Sequence, residues 1–212
     1  MPDMPDFLIQ IERLTEEPKR LEFDVSGTWW GDRERATQTE MCEVEEPFRF
    51  VLSASRVQDE VFIEGAVSGR VGRECSRCVK RYPHPLHDTY RLALSPIKGH
   101  ESVDPEGKRG LAQNGLCLGE DLEAGLYRGS VVRLDDFFGE VIALAMPIQP
   151  LCDDACLGIC SHCGENRNGP DEQRSQQSPG TATGCDCKDE KIESPFAVLA
   201  SLKQDQGGGQ GG

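Results

Sequence analysis

Long apolar runs are missing from this 212-residue chain: the longest near its middle, Val141 to Met146, falls far short of the ~18–20 residues that cross a bilayer. The opening MPDMPDFLIQIERL lacks the basic start and apolar stretch of a secretory signal, so no export is expected. The expectation is a soluble cytoplasmic protein without a membrane partner. Basic charge is in deficit as well, with 23 Lys and Arg against 37 Asp and Glu and a formal charge of −14, which excludes indiscriminate coating of nucleic acid. Catalytic motifs are absent too. There is no GxxxxGKS phosphate loop, no HExxH, no GxSxG, and the four histidines have no recognisable partner spacing, so neither an enzyme nor a small-molecule substrate is expected.

Cysteine, by contrast, is abundant. Ten thiols in a chain without an export signal point to a reducing compartment, where clustered cysteines bind metal more often than they form disulfides. Six fall between positions 152 and 187: Cys152, Cys156, Cys160, Cys163, Cys185 and Cys187. Zinc takes four thiolate or imidazole ligands in a tetrahedron, and a CxxC turn followed by Gly bends two sulfurs toward one point. Cys160-Ser161-His162-Cys163-Gly164 has that form. Four of the six are expected to hold a structural zinc. The spacing leaves open whether Cys185 with Cys187, or Cys152 with Cys156, completes the set, and whether there is more than one ion.

A second CxxC, Cys75-Ser76-Arg77-Cys78, stands between two strand-like runs. It reads as half a metal site completed by distant cysteines, a redox pair, or a turn. Arg70, Arg73, Arg77, Lys80 and Arg81 crowd within twelve residues around it, a local reversal of charge suited to phosphate contacts and the expected place for RNA to bind. Cys42 and Cys117 lack a CxxC partner and read as structural or idle thiols.

From Phe7 to about Ile97 apolar residues alternate at period 2, as in Phe48, Phe50, Leu52 and Ala54, which predicts half-buried antiparallel strands. Residues 98–125 keep no period and read as an exposed loop. A helix is predicted from near Ser130 to Pro147, with Phe137, Phe138, Val141 and Ile142 on its core stripe. The fold class is α+β: an antiparallel sheet or partly open barrel in the N-terminal half, packed by a helix of the C-terminal half. A cysteine-rich zinc-binding appendage and a short terminal helix follow. Four segments result: a β-rich core with its covering helix at 1–150; a metal-binding segment at 151–190 containing a disordered insert at 166–184; a docking helix at 191–204; and a flexible tail at 205–212.

Three stretches in this order resemble the bacterial YceD family of large ribosomal RNA subunit accumulation proteins: ECSRC at 74–78, VIALAMPIQPLC at 141–152 and SPFAVLASLK at 194–203. DDACLGICSHCG at 153–164 and CDC at 185–187 look like the cysteine cluster of many members. The resemblance implies a role in producing or stabilising large-subunit (23S) ribosomal RNA during ribosome assembly. Its implied partners are precursor large-subunit RNA or assembly proteins. Two alternatives stand beside it: an acidic adapter that binds ribosomal proteins or a ribonuclease without touching RNA, and a thiol-disulfide oxidoreductase working through Cys75 and Cys78.

Overall fold

The computed structural model describes residues 7–37, 42–98, 104–168, 185 and 187. The chain divides into two compact units, Met1–Cys156 and Leu157–Gly212. The docking helix expected at 191–204, the tail at 205–212 and the insert from 169 onward lie outside the described residues.

The first unit is α+β, as expected. Its main sheet has the order β2-β3-β4-β5-β7-β6, built from Lys19–Val25, Glu43–Val57, Glu60–Glu74, Arg81–Pro96, Ala124–Tyr127 and Leu116–Leu118. All neighbours are antiparallel except β5 and β7, so the sheet is mixed. Alternation decides the buried face: Phe48, Phe50, Leu52 and Ala54 of β3 and Val61, Ile63, Val67 and Val71 of β4 are all buried. Pro83 and Pro85 sit in β5 where its outer side has no strand partner, so the missing N–H groups cost no ladder bond there.

Helix α3, Asp135–Ala145, covers that face with Phe137, Phe138, Val141 and Ile142. Phe138 stacks on Phe50 with ring centroids 3.8 Å apart, and Phe137 meets Tyr90 edge-on at 5.3 Å. The helix begins later than its apolar stripe predicts. Val131–Arg133 instead forms a strand, β8, paired with β1, Leu8–Gln10, and the Leu134 N–H donates to the Phe7 carbonyl at 2.8 Å. Two β-branched valines and an unpaired N-terminal segment favour the ladder over another helical turn.

The loop expected over 98–125 is a correction. Helix α2, Pro105–Gln113, and strands β6 and β7 lie there. Asp104 caps α2 by accepting from the Gly107 N–H at 2.6 Å, and Pro105 stands in its first turn. A further helix, α1, Gly27–Thr37, interrupts the stretch from Phe7 to about Ile97 that alternation assigns to strands, and is a second correction. Ser26 accepts from the Trp29 N–H at its start, and Trp30 is buried against Phe48. No helix among the described residues is long and apolar enough to cross a membrane.

Candidate metal centres

The long β4–β5 hairpin carries Cys75 and Cys78 on its tip. The Val79 N–H donates to the Cys75 carbonyl at 2.9 Å and the Cys75 N–H to the Lys80 carbonyl at 2.9 Å, which closes a tight knuckle around both sulfurs. Val79 takes a φ of 60° at its end. The segment after α3 meets this knuckle: the Ser76 N–H donates to the Pro150 carbonyl at 2.8 Å, and Arg77 Nη1 donates to the carbonyls of Asp154 and Cys156 at 3.2 and 3.0 Å. Cys152 and Cys156 are thereby brought against Cys75 and Cys78.

Cys75 and Cys156 have their sulfurs 3.8 Å apart, Cys78 and Cys152 3.6 Å, and all four lie within 4.8 Å of one another. A Zn–S bond of about 2.3 Å places the sulfurs of a regular tetrahedron about 3.8 Å apart, so this set fits the ion. Burial raises the Cys75 thiol, but backbone hydrogen bonds from Cys152, Arg77 and Cys78 outweigh it and bring the group down to about 6. Cys78 is pushed up to about 12 by burial and by hydrogen bonds with Cys75, Cys152 and Cys156. Four thiols this close cannot all ionise without a cation to balance them.

The second unit repeats the local geometry. The Gly164 N–H donates to the Cys160 carbonyl at 2.9 Å and the Cys160 N–H to the Glu165 carbonyl at 2.7 Å, the same two bonds at the same offsets as in the first knuckle. Gly164 has φ 75° where Val79 stands in the other, and glycine adopts that conformation without steric cost. Cys160, Cys163, Cys185 and Cys187 bring their sulfurs within 4.8 Å of one another. Backbone hydrogen bonds from Cys163 and His162 draw Cys160 down to about 6, and hydrogen bonding with Cys163 pushes Cys187 up to about 12. Asn166 and Asn168, at the start of the expected insert, belong to this fold: the buried Asn168 accepts from the Leu157 N–H and donates to Asn166.

Eight cysteines thus fall into two sets of four. The pool of six seen in the sequence divides between them, and Cys152 and Cys156 join the hairpin pair instead of Cys160 and Cys163. His162 is exposed and outside both sets. Cys42 and Cys117 stand apart; Cys42 donates its thiol to Glu34 at 3.1 Å and its backbone N–H to the same carboxylate.

The five basic residues around the hairpin do not share a face. Arg70 and Arg73 are an odd number of positions apart on β4, so they point to opposite sides of the sheet. Arg70 pairs with Glu46 at 2.9 Å, Arg73 is half-buried opposite Tyr82, and Arg77 is committed to the carbonyls of Asp154 and Cys156. Lys80 is half-buried and Arg81 exposed.

Residues 63–203 match the family described as large ribosomal RNA subunit accumulation protein YceD, a span that contains all eight clustered cysteines. Uncharacterized proteins from Mycobacterium bovis and from two strains of Mycobacterium tuberculosis are 24% identical over 114 residues, which is 53% of this chain and 48% of theirs. The chain therefore spans about half the length of the curated relatives it matches. No solved structure matches it. With two thirds of its length matched, the chain belongs to the YceD family.

Proposed function

We propose that this chain is a non-enzymatic cytoplasmic factor that supports the accumulation of large-subunit ribosomal RNA, with one structural zinc ion in each four-cysteine set. The family match over residues 63–203 carries the reading. In the first set Cys75, Cys78, Cys152 and Cys156 would hold the ion, and in the second Cys160, Cys163, Cys185 and Cys187. A zinc ion supplies charge balance and a fixed tetrahedral joint there, with every protein ligand position filled by sulfur as in closed structural sites. Arg77 supports the first set from outside by fixing the two carbonyls of its loop.

Contact with RNA runs through the hairpin tip, where Arg81 is exposed beside Lys80 and the knuckle holds the turn rigid. The test is deletion of the gene in its bacterial host and measurement of the ratio of large- to small-subunit ribosomal RNA, with complementation by the parent chain, by Cys156→Ser and by Arg81→Glu. A fall in the ratio restored by the parent alone supports the reading. An unchanged ratio after deletion removes it, and full rescue by Arg81→Glu removes the assignment of RNA contact to the tip.

A further inference from the structure

Two clefts of the first unit, of about 730 and 910 Å³, adjoin on either side of one pair of leucines, Leu122 and Leu144, which line both. Leu144 projects from the end of α3 and is 69% exposed, unusual for a leucine on a helix whose other large apolar side chains are buried. Leu122 is held in the turn between β6 and β7 with φ 58°, a left-handed conformation that a leucine adopts only under strain. Strain of this kind persists where the surroundings enforce it and clusters at ligand clamps. Here it keeps an apolar side chain at the junction of the clefts, where a glycine would relax the backbone and leave no side chain.

The rims are acidic. Glu64, Asp88 and Glu123 border the first cleft against Arg91. Asp104, Glu106, Glu120, Asp136 and Glu140 border the second, where Arg33 is already paired with Asp136 and Glu140 and Arg109 is the other cation of the lining. Asp121 borders both. Such a surface repels a phosphate backbone and attracts cations.

We propose that the joined clefts dock a lysine- and arginine-rich polypeptide segment whose apolar side chain seats between Leu122 and Leu144. The charge sets the sign of the partner, and the leucine pair sets the anchor position. None of the residues lining it belongs to the hairpin tip or to a cysteine set, so it stands or falls independently of the RNA reading.

The test uses the full chain and fluorescence anisotropy with three labelled probes: a synthetic Lys/Arg peptide carrying spaced leucines, the same peptide with serine for leucine, and a single-stranded RNA oligonucleotide. The leucine peptide is expected to bind, and to lose roughly tenfold in affinity in Leu144→Ser and in Leu122→Gly. Leu122→Gly is also expected to melt no lower than the parent, which separates lost docking from lost folding. Equal binding of the serine peptide, unchanged affinity in both variants, or a self-association of the chain that Leu144→Ser abolishes would each overturn the proposal. So would RNA binding that Leu144→Ser weakens.

Discussion

The guanidinium of Arg33 occupies the space where a β-carbon on Gly139 would stand. Arg33 reaches this place from α1 to meet Asp136 at 3.0 Å and Glu140 at 3.8 Å on α3, so the glycine lets a cation lie flat on the helix between its two anions. Gly139→Ala should therefore push the flexible guanidinium off its two carboxylates, and the helix propensity gained by alanine, about 0.5–1 kcal/mol, should hold the net change in stability within about 1 kcal/mol. Denaturant unfolding measures it. In the Arg33→Ala background, where the guanidinium no longer meets the new β-carbon, Gly139→Ala should stabilise by about 0.5–1 kcal/mol, and a loss of stability there would show that Arg33 is not what the alanine displaces.

Metal content per chain should be two zinc ions. Cys156→Ser should remove one and Cys187→Ser the other, because the serines fall in different sets. Loss of the first ion should cost on the order of 3 kcal/mol and lower the melting temperature by roughly 6–12 °C. Elemental analysis with calorimetry on both variants checks this, and loss of both ions, or of neither, in either single variant would break the two-set assignment.

Val79 is exposed and holds φ 60° at the place where the matching knuckle has Gly164. Val79→Gly should stabilise the tip by about 1 kcal/mol, since the left-handed conformation costs a β-branched residue roughly 1–2 kcal/mol and part of this is offset by the freer unfolded glycine. Slower zinc release to a chelator is the measurable sign. Faster release would mean that the valine side chain itself shields the centre.

Burial and the hydrogen bond to Glu34 push the Cys42 thiol up to about 11. A thiol in the unfolded chain titrates near 8.5, so the folded state holds this proton longer. The resulting stability is fully present below the unfolded value and is lost as pH rises toward the folded one. The stability advantage of the parent over Cys42→Ala should therefore shrink between about pH 8 and pH 10. Denaturation midpoints at the two values test it, and a constant gap would contradict the shift.

The strands were legible because one face of each is buried, so period 2 is written directly into Phe48, Phe50, Leu52 and Ala54. The knuckle at Cys160 was legible from Cys-x-x-Cys-Gly, a local device. What joins Cys75 and Cys78 to Cys152 and Cys156 is not local: it depends on the pairing of β4 with β5 along their length and on the exit of the chain from α3, and no spacing encodes either. Helix α2 escaped notice because its core anchors are few, with Leu111 the one large buried side chain, although Asp104-Pro105 is a legible start. The scatter of Arg70 and Arg73 over opposite faces was within reach of the same alternation that identified the strands.

The distance along the chain between the halves of the first cysteine set has a consequence for biosynthesis. Cys152 follows Cys78 by 74 positions. A ribosome adding roughly 5–20 residues per second needs about 4–15 seconds to pass from one to the other, so the hairpin emerges with two unpartnered thiols and must wait. During that interval it is an incomplete ligand, exposed to oxidants and to the wrong metal, and only emergence of the segment beyond α3 ends the exposure. Assembly of the four-sulfur set is thus a late event in the making of each molecule, set by translation.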